Sequence, residues 1–421
     1  MQQIADTHKL ALCSFMLAAD IFLWPIQFPL LGFAGVGLNF ILALPLVAGI
    51  SILPAVVSRR LALFIGALLL HMVLVFLVWG VSGRTLGMVF ALSLYLAGTC
   101  VALHVCFQDN FLRFRKIVFL FLCAQLFLHG LELAGLYDPN PNWSREHYLF
   151  GFPVPTGFFT EASHVGLCLG PLMFWWFSKS GLNKRISLLA GISVMLSLST
   201  TGLTVVVFIS LMFLLRSSEI STATKKAVFS IFALLISYMV FTADSFSEIN
   251  ERLLSLTSIL AGDTGGPQNL SALIYMNGVD MAGQGLSDVV GAGAGQMLLY
   301  YPDAAYSYLI EIINSGAALN RDDGGSTMLK LLAEFGFFGL IFAIYYGLFL
   351  FKVLRSRLSY VTTILALYFL VTMIRGAGYF DGPIVISVAL FLYAPILFAR
   401  PRSAPDESAA IVVGAPSLPR T

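Results

Sequence analysis

The chain has 421 residues, 58% of them hydrophobic and 11% charged, and its 24 Lys and Arg against 22 Asp and Glu leave a net charge of +2. Soluble domains carry roughly 25% charged residues, so a soluble globule is excluded, and so small a net charge leaves no basic surface for nucleic acid. What remains is an all-α polytopic membrane protein: crossing about 30 Å of hydrocarbon takes roughly 20 apolar residues as a helix, and the chain offers blocks of that length instead of short alternating strands.

Apolar blocks run at 10–31, 33–57, 61–80, 86–107, 117–136, 164–178, 186–199, 203–215, 227–243, 326–351, 358–374 and 383–398, which predicts about twelve membrane spans. Met1–Lys9 has no basic n-region or cleavage site, so the first block reads as a retained span, though Pro25 and Pro29 break it. With the N-terminus inside, Arg59/Arg60, Arg113/Arg115/Lys116, Lys179/Lys184/Arg185, Arg216/Lys225/Lys226, Lys352/Arg355/Arg357 and Arg400/Arg402 all fall on the cytoplasmic side. Arg84, Arg145, Arg252, Arg321 and Arg375 are left outside.

The domain reading is therefore transmembrane helices 1–9 over 1–243, interrupted by a short external loop at 137–163, then a large external loop at 244–325 and transmembrane helices 10–12 over 326–400. A loop of about 80 residues is too long for a passive connection. Within it Phe246, Ile249, Leu253, Leu256 and Leu260 recur at helical spacing, and Ala304–Ile313 is a second apolar stretch, so short helices lying in the interface are expected. The tail, 401–421, rich in Pro, Ser, Ala and Gly, reads as a disordered cytoplasmic extension. Cys13, Cys100, Cys106, Cys123 and Cys168 all lie in apolar blocks without a CxxC and read as packing residues.

Candidate chemistry centres on Gly151–His164, where kinked and polar residues run into an apolar block. Glu161 and His164, three apart, share a face if a helix begins there; the competing assignment has Thr160 or Ser163 as helix cap and Glu161 as complement to the helix dipole. Asp20, His71, His104, His129 and Glu132 lie in or beside apolar blocks and are functional suspects by position, although a single His in a span is more often a packing residue. Glu132 is near enough to the outer end of its span to reach the cavity of Glu161. Arg145, Arg321 and Arg375 each adjoin a span or the Glu161 stretch and would form a guanidinium clamp for phosphate, unless Asp322, Asp323 and Asp381 neutralise them locally. Lys330 and Glu334 read as an (i, i+4) ion pair. Gly291-Ala-Gly-Ala-Gly295 lacks the spacing and the βαβ context of a nucleotide site and reads as a flexible, tight turn.

Gly157-Phe-Phe-Thr-Glu-Ala-Ser-His164, Gly291-Ala-Gly-Ala-Gly295 and Ser326-Thr-Met-Leu-Lys-Leu-Leu-Ala-Glu-Phe-Gly-Phe-Phe-Gly339, in that order around a large loop between the ninth and tenth spans, resemble the bacterial O-antigen polymerase and ligase superfamily (Wzy-like polymerases and O-antigen ligases) over roughly 117–350. The chain departs from the family pattern at Val154, where the family has an arginine, and at Ala162, where it has a proline. Ligases of the family carry a histidine late in the large loop; no His follows His164 here, which favours a polymerase.

The resemblance implies a metal-independent, cofactor-free glycosyltransferase of the GT-C kind in the bacterial inner membrane, with both termini cytoplasmic and the large loop periplasmic. Its partners would be undecaprenyl-diphosphate-linked oligosaccharides, membrane lipid and a chain-length regulator. Glu161 would be general base or organiser of the acceptor with His164 as its partner, and Arg145, Arg321 and Arg375 would hold the diphosphate. The rival expectations are a transporter such as a lipid-linked oligosaccharide flippase, whose two halves should superpose, a structural subunit of a secretion complex, and a ligase.

Overall fold

Inside hydrocarbon each backbone N–H needs a carbonyl within its own segment, so helices should follow the apolar blocks. They do so in the computed structural model, which describes residues 2–23, 27–28, 36–47, 55–137, 148–149, 152–153, 155–159, 161–178, 180–197, 270–314, 316–356, 359–374, 376 and 378–399. The helices are α1 (Gln2–Phe22), α2 (Leu38–Val47), α3 (Ala55–Trp79), α4 (Gly83–Gln108), α5 (Leu112–Leu133), α6 (Ala162–Leu169), α7 (Gly181–Ser197), α8 (Leu270–Ser287), α9 (Ser307–Ile313), α10 (Thr327–Arg355), α11 (Tyr360–Ile374) and α12 (Gly382–Ala399). Two antiparallel pairs of two residues each, Gln27–Phe28 with Val36–Gly37 and Tyr148–Leu149 with Phe152–Pro153, are the extended elements among the described residues.

The chain is a helical membrane protein. Four described helices are long and apolar enough to cross a bilayer, namely Val57–Trp79, Gly83–Gln108, Leu112–Leu133 and Thr327–Arg355, and Tyr360–Met373 and Gly382–Phe398 are shorter apolar helices. The blocks expected at 203–215 and 227–243, the amphipathic stretch at 246–260 and the tail at 401–421 lie outside the described residues. Two blocks differ from a plain span. The one at 33–57 yields α2, which contains Pro45 and ends at Val47, and the chain is helical again from Ala55. The one at 164–178 is α only to Leu169 and 3-10 over Gly170–Phe177, because Pro171 has no N–H to continue the α ladder.

Helix α4 is the hub, packing on α1, α2, α3 and α12. Its middle, Leu96–Leu103, is buried and includes Ala97, Gly98 and Ala102; a Cβ on Gly98 would stand 2.6 Å from the Ala43 carbonyl of α2, so only glycine lets these two backbones approach. The core spreads through α1, α5, α6, α11 and α12 around Trp175, Tyr95, Tyr346 and Tyr368. Leu63, Leu70 and Leu77 of α3 and Leu348 and Phe351 of α10 remain exposed on the outside of the bundle, the arrangement expected where the surrounding medium is lipid tail. The stretch Ala304–Ile313 contains a short helix, α9, and α8 packs against α10.

Candidate functional site

Helix α5 presents Gln125, His129 and Glu132 at i, i+4 and i+7, one face of the helix, and all three are buried. That face grips the segment just before α6. Glu132 accepts from Thr156 N–H at 2.7 Å and Gly157 N–H at 2.5 Å; Gln125 accepts from Phe158 N–H at 2.9 Å, donates to the Thr156 carbonyl at 2.9 Å, and lies 2.7 Å from His129. Gly157 has φ +65°, and a Cβ there would overlap Gln125, so the site requires glycine twice over. Phe158 and Phe159 then anchor against Phe22. Glu132, a suspect by position, thus reaches the segment that leads into Glu161, and both its oxygens are spent on backbone.

Glu161 is itself the N-cap residue of α6, extended at φ −140°, ψ 147°, with no side-chain cap bond. Its carboxylate takes the Ser163 hydroxyl at 3.1 Å, and its carbonyl takes His164 N–H at 3.0 Å. Glu161 and His164 are both half-buried. Of the two caps in the competing assignment, Ser163 instead donates to Glu161, and Thr160 lies outside the described residues.

A second carboxylate grips the large loop. Helix α10 breaks at Gly336 (φ +52°, ψ −128°). In an unbroken helix Phe337 N–H would bond the Ala333 carbonyl; here it bonds the Val289 carbonyl at 2.8 Å, while the freed Ala333 and Glu334 carbonyls take Ala292 N–H at 3.0 Å and Gly293 N–H at 2.8 Å. The Glu334 side chain, fully buried, accepts Gly295 N–H at 2.8 Å and Met297 N–H at 3.2 Å. From the other side His71 bonds the Val290 carbonyl at 2.8 Å and Trp79 donates to that of Gly291 at 3.1 Å. Both donors are on α3, so the glycine-rich segment lies roughly one to two turns below the end of that helix. The tight turn expected for Gly291–Gly295 is present, with φ of +76°, +96° and +75° at its three glycines. Ala292 and Ala294 between them are buried. Just outside, Asp288 accepts the Tyr300 hydroxyl at 2.7 Å, and burial first, then that carboxylate, pushes the Tyr300 phenol above its ordinary pKa.

Cations gather at the outer end of this region. Lys330 and Glu334 pair at 3.6 Å as their spacing predicts, with side chains 6% and 0% exposed. The Lys330 ammonium also donates to the Asp322 carbonyl at 2.5 Å and lies 5.4 Å from the centre of the Tyr379 ring. Asp322 bonds Arg84 at 2.9 Å and stands 3.7 Å from Arg321. Local neutralisation of Arg321 by Asp322 therefore occurs, with Arg84 as a guanidinium not assigned to the clamp. Asp323 instead locks its own turn, accepting from Gly325 N–H and Asn320.

Below Tyr379 a cavity of about 340 Å³ opens between α3, α4, α10, α11 and α12. Its wall is apolar except for His71, Thr327, Tyr345 and Tyr379. The Thr327 hydroxyl is buried and meets no hydrogen-bond partner among the described residues, and the buried Tyr379 hydroxyl faces the Glu334 carboxylate. Phe338, Ile341 and Tyr345 line the cavity while also being exposed on the outer face of α10, so it opens sideways out of the bundle.

Of the predicted site residues, Glu161, His164 and Arg321 are described; Arg145 and Arg375 lie outside the described residues. Among the described residues no hydrogen bond or ion pair joins Glu161 to Arg321. His104 lies 3.2 Å from Tyr393 and 3.3 Å from Gln108, the packing role, and Asp20 accepts the Tyr95 hydroxyl at 2.5 Å. Among the described residues no three His, Cys, Asp or Glu side chains converge as a metal site requires. No protein-family model matches the chain, and no curated protein matches it in sequence.

Proposed function

We propose that the protein is a polysaccharide polymerase: a metal-independent glycosyltransferase of the bacterial inner membrane that moves a glycan from undecaprenyl diphosphate to a sugar hydroxyl of a second lipid-linked repeat unit. The proposal includes about twelve spans in a GT-C-like arrangement, cytoplasmic termini, and the 155–164 and 270–326 regions facing the periplasm, in keeping with the distribution of Lys and Arg. One observation carries it. Lys330, which shares Asp322 with Arg84 and Arg321, lies over the ring of Tyr379, and Tyr379 lines an apolar cavity, the pairing of features that a prenyl chain with an anionic head requires.

The reaction needs a base with an unoccupied oxygen. Glu132 and Glu334 each spend both oxygens on two backbone N–H groups, whereas Glu161 is half-buried and, among the described residues, holds the Ser163 hydroxyl. In the proposed step the acceptor oxygen attacks the anomeric carbon and its proton passes to Glu161. The anomeric bond to the diphosphate breaks, and the charge that develops is held by Arg84, Arg321 and Lys330 with Arg145 and Arg375. His164, one turn on from Glu161, takes the proton onward. A chain-length regulator would act on this cycle from outside the chain.

The test is glycan synthesis in cells carrying variants. Glu161→Ala abolishes long glycan ladders on gels while the protein stays inserted, and Arg84→Ala and Arg321→Ala each cut chain extension severely. Wild-type ladders in Glu161→Ala discard the base; wild-type ladders in an Arg84→Ala/Arg321→Ala double variant discard the clamp. A lipid-linked oligosaccharide carrier is the second reading, favoured by the break in α10, since carriers use interrupted helices. Against it, the Ala333 and Glu334 carbonyls freed by that break accept Ala292 N–H and Gly293 N–H.

A further inference from the structure

The two aspartates at the end of the large loop do different work. Asp323 turns inward onto Gly325 and Asn320 within a turn whose Asn320, Gly324 and Gly325 all have positive φ. Asp322 turns outward, and its two oxygens go to two guanidinium groups, Oδ1 to Arg84 and Oδ2 to Arg321, while its carbonyl takes Lys330. The side chains of Arg84, Asp322 and Arg321 are 41%, 39% and 59% exposed. An ion pair that open to water is weak and exchanges readily, unlike the buried Lys330–Glu334 pair beneath it.

We propose that Asp322 is a specificity-determining residue: its carboxylate is an internal competitor that reserves the Arg84–Arg321–Lys330 cluster for a lipid diphosphate and turns away lipids with a single phosphodiester. The inference rests on the reading of the substrate as a lipid-linked diphosphate. A monoanionic headgroup that displaces Asp322 exchanges one singly charged oxyanion for another and gains nothing. A diphosphate carries more than one charge and enough oxygens to engage Arg84, Arg321 and Lys330 together, so it gains on exchange. The selection matters because phosphodiester lipids surround the site in large excess, and an unguarded pair of arginines beside a side-opening apolar cavity would hold them.

The experiment uses the full chain in nanodiscs of phosphatidylcholine with and without phosphatidylglycerol, and reads binding of a fluorescent prenyl diphosphate to wild type and to Asp322→Asn, Asp322→Glu and Arg84→Ala. Wild type binds equally in both discs. Asp322→Asn, isosteric and half-exposed, binds at least as tightly as wild type in neutral discs but loses on the order of two- to five-fold when phosphatidylglycerol is present; Asp322→Glu restores the insensitivity. If Asp322→Asn is as indifferent to phosphatidylglycerol as wild type, or binds more weakly in neutral discs, Asp322 is a structural partner and the proposal is overturned. If wild type binds no prenyl diphosphate, or Arg84→Ala binds it as wild type does, the substrate reading fails first and takes this inference with it.

Discussion

Replacing Glu334 by alanine tests the whole account of how the large loop is held. The carboxylate has no exposure and three partners: Gly295 N–H at 2.8 Å, Met297 N–H at 3.2 Å and the Lys330 ammonium at 3.6 Å. Deleting it orphans two buried donors, at about 1–3 kcal/mol each when unsatisfied, and leaves a buried ammonium with only the Asp322 carbonyl. Breaking a buried pair from one side costs about 3–5 kcal/mol. These costs overlap, because the loop can loosen to let water reach all three groups, so a total of about 3–5 kcal/mol is expected. Glu334→Gln should be nearly as harmful, since its amide nitrogen would face an N–H that needs an acceptor. Adding Lys330→Met to Glu334→Gln should recover about 2 kcal/mol or more by removing the stranded charge. Unfolding followed by tryptophan fluorescence in detergent gives the energies, and amide hydrogen exchange at 292–297, slow in wild type, should become fast. If Glu334→Ala unfolds within about 1 kcal/mol of wild type and those amides stay protected, the carboxylate does not hold the loop and the reasoning is wrong.

Two further predictions concern the same loop. Val289, a β-branched residue at φ +64° and exposed, sits in the left-handed region at a cost of about 1–2 kcal/mol, so Val289→Gly should raise stability by about 1 kcal/mol; a loss would mean that its side chain, not its carbonyl to Phe337, matters. Tyr300, whose phenol is raised by burial and by Asp288, gives stability that is complete below the ordinary tyrosine pKa near 10 and declines as pH climbs beyond it, because the unfolded chain ionises first. Tyr300→Phe should therefore be less stable than wild type by about 1–3 kcal/mol at pH 8, through loss of a bond to a carboxylate, yet lose less stability between pH 9 and 11. Parallel alkaline melting profiles for the two proteins would refute that assignment.

The blocks that sequence periodicity marks as spans are those where apolar content alone decides the backbone. The block at 86–107 became Gly83–Gln108, that at 326–351 Thr327–Arg355 and that at 358–374 Tyr360–Ile374, because a helix is the one way to satisfy their backbone in lipid. What stayed hidden depends on contacts between distant segments. The run Ala333-Glu-Phe-Gly-Phe-Phe-Gly339 lies within one apolar block, and nothing local says that Phe337 N–H will leave its helix for Val289. Glycine spacing at 291–295 announced a turn, but its burial comes from α3 and α10 closing on it from 200 residues before and 40 after. Glu334 was legible as a partner of Lys330, since four-residue spacing is local, and illegible as a partner of Gly295. Arg84 stood among the external arginines, yet its link to Asp322 spans 238 positions and carries no sequence signal. The candidate base fared differently: Glu161 was singled out by the kinked approach to an apolar block, and that approach does end in a helix whose N-cap is Glu161.

The two loop attachments share one physical design, and that bears on where the chemistry can be. In each, a buried glutamate on a long apolar helix accepts two backbone N–H groups from an extramembrane segment, one of them at a glycine of positive φ: Glu132 holds Thr156 and Gly157, and Glu334 holds Gly295 and Met297. A buried carboxylate with both oxygens taken by backbone donors is a strong anchor. These glutamates are therefore the fixed points, and what they fix is informative. Glu132 determines the approach to Glu161, four residues after Gly157, and Glu334 determines the segment that packs Gly295 against Arg84. Buried anchors serve two loops beside which the Glu161 carboxylate and the Arg84 and Arg321 guanidinium groups around Asp322 stay nearer the surface. A merely structural loop would be held as well by apolar packing, at no desolvation cost. Charged anchors give a defined backbone register instead, and register is what a reaction between two bulky lipid-linked chains would need from loops that cover its site.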